Sequence, residues 1–259
     1  MVKVALVIGI NYINSHESKR LRGCIYDANR IAKLLENHLG FSNDQIHILS
    51  DENENQTIKQ EIKNSMDKVK SKVTRTSDEL WLYYSGHGNA IFDKNNDEND
   101  GKDSVILPSD YIENGYISDD YIHEWMKDLS CKTLLIFDSC HSGTIGDLPW
   151  KFTYREPNDM YIEKENPTQL NNSFLFTLSS SSDDQTSWET YNKGMKQSYG
   201  EFTNSFIAIL ENHQYKIHIV TLYALISKEF HVRQFGKHKV SQTPLLCCST
   251  RIPDWTIEK

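Results

Sequence analysis

Apolar positions along this chain follow two alternating patterns: short continuous runs, and longer segments in which apolar residues recur every three or four positions. Runs of the first kind are typical of strands buried on both faces, and segments of the second kind are typical of amphipathic helices. The predicted strands are 2–10, 46–49, 80–84, 105–107, 132–137, 173–178 and 244–248, and the predicted helices are 26–39, 57–73, 118–129, 201–211 and 221–230. This alternation predicts an α/β fold, a sandwich of three layers (α/β/α) with a mainly parallel central sheet.

One stretch, 148–172, shows no useful periodicity. We interpret it as a long loop, because unstructured segments of that length in a compact domain are usually functional or mobile. No internal repeat, low-complexity tail or linker divides the chain, so the sequence predicts a single domain over 1–259. Within that domain the loop separates residues 1–147 from residues 173–259.

Composition narrows the class of protein. Of the 259 residues, 38% are hydrophobic and 25% are charged, which is typical of a soluble globular protein, and no apolar run is long enough to predict a membrane segment. The five cysteines form no CxxC pair, so neither a disulfide framework nor a zinc site is indicated, and a reducing, cytoplasmic location is predicted. The net charge of −8 argues against nucleic acid as a partner and favours cationic ligands.

Two of the predicted strands end in polar and small residues that a core would not contain. They are Ser85-Gly86-His87-Gly88 and Asp138-Ser139-Cys140-His141-Ser142-Gly143. Ligand sites in open α/β sheets collect at the carboxyl ends of strands, and an imidazole beside a thiol lowers its pKa and accepts its proton. A lone cysteine is usually a small buried hydrophobe, and a lone histidine between glycines is usually a loop residue. Two such motifs of complementary chemistry together predict a nucleophilic Cys–His site.

These two motifs resemble the catalytic motifs of metacaspases, caspase-like cysteine proteases of clan CD, peptidase family C14. Four further segments match family patterns in family order: Gly9-Ile10-Asn11-Tyr12, Gly23-Cys24-Ile25-Tyr26-Asp27-Ala28, Asp100-Gly101-Lys102-Asp103 and Asp183-Asp184-Gln185-Thr186-Ser187. The type I arrangement fits best, without the N-terminal pro-region of many members. The resemblance implies a caspase-like fold in which 1–147 is similar to the large subunit and 173–259 to the small subunit.

The resemblance also implies the roles of the site residues. Cys140 would be the nucleophile and His87 the general base and then acid, with the backbone N–H groups of Gly88 and Cys140 forming the oxyanion hole. The resemblance implies a monomeric enzyme that cleaves protein or peptide substrates after Arg or Lys. The pocket for that basic residue (S1) would consist of Cys24, Asp27, Ser85 and Asp138. A pair of carboxylates attracts a cationic side chain, whereas Asp27 alone would be a solvated residue in the first turn of a helix.

Calcium is the second ligand that the resemblance implies. Its site would draw on four carboxylates, Asp103, Asp119, Asp120 and Asp147. Oxygen ligands of this kind suit Ca2+, although each acid alone would be a solvated loop charge. The acidic run 93–103 does not fit the EF-hand template, because no frame places the required Asp, Gly and Glu together.

Some positions depart from the family pattern. Ser104 stands where an acid is common, serines occupy all of 179–182, and Glu189 takes a position often held by Asp. Self-processing in the long loop, after Lys151, Arg155 or Lys164, would suit a protease that cuts after basic residues, although exposed lysines are also an ordinary surface feature.

Two alternatives to the protease stay open on the sequence. One is a catalytically silent caspase-like binding or scaffold protein, which would need neither His87 nor Cys140. The other is a thiol redox protein, which would need a resolving cysteine near Cys140, and the sequence has none there.

Overall fold

The computed structural model has an eight-stranded sheet at its centre. It describes residues 1–92, 101–156, 159–165, 170–181, 189–194, 196–234 and 242–259, with the backbone alone at 155 and 156. In chain order the strands are β1 (Lys3–Gly9), β2 (Ile46–Ser50), β3 (Glu79–Ser85), β4 (Gly88–Phe92), β5 (Lys102–Ile106), β6 (Ile117–Ser118), β7 (Lys132–Asp138), β8 (Trp150–Glu156), β9 (Asp159–Lys164), β10 (Leu175–Ser179), β11 (Glu189–Asn192), β12 (Gln197–Gly200), β13 (Ile217–His218), β14 (Leu245–Cys248) and β15 (Thr256–Ile257). The α-helices are α1 (Cys24–His38), α2 (Lys59–Lys70), α3 (Tyr111–Asn114), α4 (Asp119–Lys127), α5 (Glu201–Asn212) and α6 (Ile219–Gln234).

The central sheet is parallel over most of its width. Its strand order is β2-β1-β3-β7-β10-β14-β8-β9. The pairings from β2 to β10 are all parallel, and those from β10 to β9 are antiparallel. Three small sheets, β4-β5-β6, β11-β12 and β13-β15, lie outside it. The carboxyl ends of β1, β3 and β7 therefore meet at one edge of the sheet, where the sequence predicts the site.

Helices cover both faces of this sheet, because the strands alternate their side chains between two separate cores. In β3, Trp81 and Tyr83 pack in the core beneath α1, α5 and α6, whereas Leu80, Leu82 and Tyr84 pack in the core beneath α2 and α4. Successive side chains of a strand point to opposite faces, so a strand buried on both faces is continuously apolar. The predicted three-layer sandwich with a mainly parallel sheet is confirmed.

The predicted helices and strands all occur, with shifted ends. Ser118 caps α4, since its hydroxyl accepts the N–H of Tyr121, and Gly40 follows α1 with a left-handed φ of +76°. Asn11 caps α1 from outside the helix: its side-chain oxygen accepts the N–H groups of Cys24 and Ile25 at 3.0 and 3.4 Å.

The long loop predicted over 148–172 is wrong. Residues of this segment form β8 and β9, an antiparallel hairpin that extends the central sheet beyond β14. Its apolar residues do alternate, since Trp150, Phe152 and Tyr154 pack with the core on one face while Lys151 points the other way to Glu163 and Glu165. Aromatic residues at every second position are the mark of a half-buried strand.

Among the described residues, no helix has both the length and the apolarity required to span a membrane. The monomeric state and the cytoplasmic location stay predictions, because a single chain tests neither.

Candidate active site

His87 and Cys140 follow two neighbouring strands and line one cavity. Ser85, the last residue of β3, pairs with Asp138, the last residue of β7, so the two motifs begin side by side. The cavity has a volume of about 40 Å³, which suits the end of one side chain rather than a whole ligand. Its lining is Leu21, Cys24, Asp27, Ser85, Gly86, His87, Asp138, Cys140, Glu189 and Gly200. The structure thus brings together the predicted catalytic pair and all four predicted S1 residues.

Two buried tyrosines hold the backbone of His87. The Tyr12 hydroxyl accepts the His87 N–H at 2.8 Å and donates to the Leu107 carbonyl at 2.6 Å, while the Tyr84 hydroxyl donates to the His87 carbonyl at 2.7 Å. Burial raises the pKa of both phenols well above the usual value, so they stay neutral hydrogen-bond donors. The loop that carries His87 is therefore held through both backbone groups of that residue.

The imidazole of His87 is oriented by a backbone carbonyl. Its Nε2 lies 2.7 Å from the Lys19 carbonyl oxygen, and its ring centroid lies 4.4 Å from that of Tyr12. A carbonyl only accepts, so Nε2 carries the proton and Nδ1 is left as the acceptor of the ring. The sequence does not reveal Lys19 as a site residue, because every residue carries such a carbonyl.

Cys140 stands on a sharp turn that serines secure. The next residue, His141, has a left-handed φ of +51°, which turns the chain directly after Cys140. The carbonyl of the preceding residue, Ser139, accepts hydroxyl hydrogens from Ser142, Ser180 and Ser181 at 2.9, 3.2 and 3.0 Å. Two of these serines belong to the run noted as a departure from the family pattern, and their structural role is to hold the loop that carries Cys140.

Gly88 lies against the backbone of Cys140. A Cβ atom at this position would overlap the Cys140 carbonyl oxygen, so only glycine permits this approach. The predicted partners in the oxyanion hole are therefore neighbours.

Two carboxylates form the base of the cavity. Asp27 is fully buried and accepts the Gly200 N–H at 2.5 Å; Asp138 accepts the hydroxyl and the N–H of Thr203 at 2.7 and 3.3 Å. Gly200 is the N-cap of α5 and Thr203 lies in its first turn, so both acids lie at a helix N-terminus, which stabilises negative charge. A Cβ atom at Gly200 would overlap the Asp138 carboxylate, so a side chain there would obstruct the base of the cavity.

The two carboxyl groups do not titrate independently. Burial and the charge of Asp138 raise the pKa of Asp27 to about 8, although the Gly200 N–H and the guanidinium of Arg30, at 3.4 Å, act in the opposite direction. At neutral pH Asp27 therefore holds a proton, and the pair carries less than its full negative charge. A cation entering the cavity would favour loss of the Asp27 proton and so restore the full negative charge of the pair.

Glu189 adds a third acid at the mouth of the same cavity. Its carboxylate accepts the Gly23 N–H at 2.8 Å and lies 3.8 Å from the Cys24 sulfur. Burial, then the Glu189 charge, raises the pKa of the Cys24 thiol well above its usual value, which keeps that thiol neutral. The sequence marked Glu189 only as a departure from the family pattern, since its contact with Gly23 joins residues far apart in the chain.

A separate acidic group matches most of the predicted calcium site. Carboxylate oxygens of Asp103, Asp119 and Asp120 all lie within 4.8 Å of one another. Asp103 and Asp119 are buried, and Asp119 accepts the N–H groups of Ser104 and Asp120. Buried carboxylates at this spacing repel one another without a cation, and hard oxygen donors fit Ca2+.

The fourth predicted ligand, Asp147, is buried as well, and its part in the calcium site stays a prediction. Asp147 belongs to the turn that follows the nucleophile loop, where it has a φ of +47° and its N–H donates to the Thr144 carbonyl.

Other predicted positions lie apart or outside the described residues. Both 183–187 and the acidic run 93–100 are outside them, as is the side chain of Arg155. Lys151 is in β8, where its ammonium group contacts Glu163 and Glu165 at 3.3 and 2.6 Å, and Lys164 is exposed at the end of β9.

Comparisons with known proteins identify the family of this chain. The family model for the metacaspase, peptidase C14 domain, matches residues 3–149. Metacaspase-1 of Saccharomyces cerevisiae is 42% identical over 164 residues, which cover 60% of this chain and 37% of that protein. Metacaspase-1A of Aspergillus oryzae is 29% identical over 298 residues, covering 96% of this chain and 68% of that protein. The chain thus spans well under two thirds of the length of the yeast relative.

Solved structures with low sequence identity share the fold. Caspase-1 from Spodoptera frugiperda superposes with a TM-score of 0.58 at 12% identity, over 94% of this chain and 85% of that one. A protein from Geobacter sulfurreducens gives a TM-score of 0.66 at 20% identity, over 98% and 95%. The architecture is that of a caspase-like domain, and the family match covers more than half of the chain. This chain belongs to the metacaspase family of peptidase C14 domains.

Proposed function

We propose that this chain is a cysteine endopeptidase that hydrolyses peptide bonds after Arg or Lys. The observation that carries the proposal is the shared cavity, in which Cys140 and His87 lie above the carboxyl pair Asp27 and Asp138. A thiol and an imidazole supply the nucleophile and its base, and buried acids select a cationic side chain.

The catalytic cycle follows from these positions. His87 accepts the thiol proton, on Nδ1 because Nε2 donates to the Lys19 carbonyl, and the Cys140 sulfur attacks the carbonyl carbon of the scissile bond. The backbone N–H groups of Gly88 and Cys140 stabilise the oxyanion. His87 then returns the proton to the leaving amine, and a thioester forms. Water, deprotonated by His87, attacks the thioester, releasing the acid product and regenerating the thiol.

Selection for a basic residue has an electrostatic origin. A guanidinium or ammonium group in the cavity would meet Asp27 and Asp138, with Glu189 at its mouth. Such a cation removes the repulsion between the two buried carboxylates, whereas an aspartate side chain would increase it.

Turnover of peptidyl-Arg and peptidyl-Asp coumarin amides tests the proposal. We expect release of coumarin from the Arg substrate alone. Binding of an Arg peptide without any turnover, in the presence of Ca2+, would instead favour the scaffold alternative.

We further propose that Ca2+ binds the acidic group and stimulates activity. Asp103, Asp119 and Asp120 would hold the ion, with Asp147 as the predicted fourth ligand. The ion would neutralise their charges and brace β5 against the start of α4. This group is built from other elements than the catalytic cavity, so the role of the ion would be structural.

Ca2+ is expected to raise the thermal midpoint of unfolding. Saturation at about 100-fold over Kd contributes about 2.7 kcal/mol, or roughly 5–10 °C for a domain of this size. Scanning fluorimetry with CaCl2 or MgCl2 measures the shift, and Asp119→Asn is expected to remove it. The matched control is Asp44→Asn, an exposed acid outside the group. A shift that survives in Asp119→Asn would contradict this site.

Self-processing is a third proposal, and the hairpin changes its expected position. Lys151 is tied to two glutamates inside β8, whereas Lys164 is exposed where β9 ends. A protease requires an accessible, extended segment, so cleavage after Lys164 is expected ahead of Lys151. Intact-mass analysis after incubation with Ca2+ measures it, with Lys164→Ala expected to stay uncut and Lys151→Ala to be cut. A parent chain that stays whole would refute self-processing.

A further inference from the structure

A second and larger cleft lies beside the catalytic histidine. Its volume is about 640 Å³, within the roughly 300–1,000 Å³ range of binding pockets. The loops that follow β1, β2 and β5 form it, and its walls include Tyr12, Lys19, Asp51, Glu54, Asp110 and Glu113. None of these residues lines the S1 cavity.

Two of these walls also contact His87. The Tyr12 ring packs against the imidazole and the Lys19 carbonyl accepts its Nε2–H. The S1 cavity, on the other hand, is closed by Asp27, Asp138 and Gly200. The imidazole therefore stands between the cleft and the acids that would hold the basic residue.

The chemistry of peptide cleavage gives this arrangement a direction. The general acid must lie beside the nitrogen that leaves, because it protonates that nitrogen as the bond breaks. The substrate residues after the scissile bond therefore depart on the histidine side. The basic residue before the bond enters the S1 cavity, so the following residues extend toward the larger cleft.

The charge of the cleft suggests what those residues are. Asp51 and Asp110 are occupied by backbone N–H groups, of Asn11 and Ile13 and of Lys59 respectively. Glu54 and Glu113 are exposed, and neither forms an ion pair within the described residues of the chain. These two carboxylates stay available to a ligand, against the single ammonium of Lys19.

We propose that this cleft binds the substrate residues that follow the scissile bond, and that Glu54 and Glu113 select basic side chains there. The inference rests on the proposed peptidase function and deepens it, since it makes the enzyme select charge on both sides of the bond.

The experiment compares internally quenched peptides with one Arg at the cleavage site. They differ only in the second and third residues after the bond, which are Lys-Lys, Gln-Gln or Glu-Glu, and product masses confirm cleavage after that Arg. In the parent, kcat/KM is expected to be about tenfold higher for Lys-Lys than for Glu-Glu, the size that two exposed ion pairs supply. The variant Glu54→Gln/Glu113→Gln is expected to bring this ratio within about twofold.

A matched control separates local from overall charge. Glu36→Gln/Glu211→Gln removes the same charge near the C-terminal ends of α1 and α5, away from the helix ends that border the S1 cavity. It is expected to keep the kcat/KM ratio of the parent. An equal ratio in the parent and in Glu54→Gln/Glu113→Gln would overturn the inference. The coumarin amide of Arg has no residues after the bond, so its turnover tests the peptidase alone. If the parent does not hydrolyse the coumarin amide, both the proposed function and the inference are wrong. If the parent hydrolyses it but has equal kcat/KM for the Lys-Lys and Glu-Glu peptides, only the inference is wrong.

Discussion

A Cys140→Ala variant is expected to hydrolyse a peptidyl-Arg coumarin amide at least ~10⁴-fold more slowly than the parent, since losing a nucleophile costs other acyl-transfer enzymes about 10⁶-fold in kcat. Without the sulfur no thioester can form, whereas the carboxyl pair Asp27 and Asp138 and the loop of His87 stay in place. The measurement is kcat/KM with Ca2+ present, together with circular dichroism to show that the variant is folded.

Cys131→Ala is the matched control for that variant. Cys131 is a buried cysteine directly before β7, at the other end of that strand from Cys140. We expect its kcat/KM to stay within about threefold of the parent, since an alanine there costs packing and not chemistry. Residual activity of Cys140→Ala above about 1% of the parent would exclude Cys140 as the nucleophile.

The second large effect is expected from Asp138→Asn. Asparagine keeps the shape of the side chain and can still accept the Thr203 hydroxyl, but it removes the charge. We expect kcat/KM for an Arg substrate to fall about 10²–10³-fold, because one partner of a buried charge pair is lost. The neutral analogue citrulline at the same position should be far less affected, so the Arg/citrulline ratio collapses. Asp44→Asn is the control, and an unchanged ratio in Asp138→Asn would contradict the role of the pocket.

Asp27 gives the same pocket a characteristic pH dependence. Its carboxyl group, with a pKa of about 8, is mostly protonated at pH 6 and ionised at pH 9. A bound guanidinium favours the ionised form, so binding releases a proton below pH 8, and affinity rises with pH by at most about tenfold per unit. Calorimetry of an Arg peptide with Cys140→Ala measures this without turnover. Adding Asp27→Asn should flatten the profile; an identical profile in both would show that Asp27 does not titrate with the ligand.

The sequence was sufficient for the reactive groups because they follow strands of recognisable pattern. The apolar runs that end at Ser85 and Asp138 are buried on both faces, and parallel strands bring their carboxyl ends to one edge. His87, Cys140 and Asp138 could therefore be placed together without coordinates, whereas Asp27, which lies on α1, was assigned only through the resemblance to the family.

The positioning groups could not be found in the same way. The Lys19 carbonyl has no signature in any sequence, and Gly200 meets Asp27 across most of the chain. Such contacts depend on how separate segments pack, which local pattern does not encode.

The hairpin of β8 and β9 is a different kind of failure. Its alternation was present in Trp150, Phe152 and Tyr154, but the polar residues between them, Lys151 and Thr153, resembled an exposed loop. Lys151 is an ordinary strand residue facing a polar side, paired with acids across the hairpin.

Because Ser180 and Ser181 donate hydrogen bonds to the Ser139 carbonyl, residues 3–149, which match the family model, do not form the complete site by themselves. Both serines, together with Gly200 and Thr203, come from beyond residue 149, where the family match ends. A fragment that ends at residue 149 would contain His87 and Cys140 but would lack these four residues, which hold the loop of Cys140 and the two buried acids. Conversely, cleavage after Lys164 would give two fragments that stay joined by the hydrogen bonds between β7 and β10. Breaking the chain at that point therefore need not separate the parts of the site.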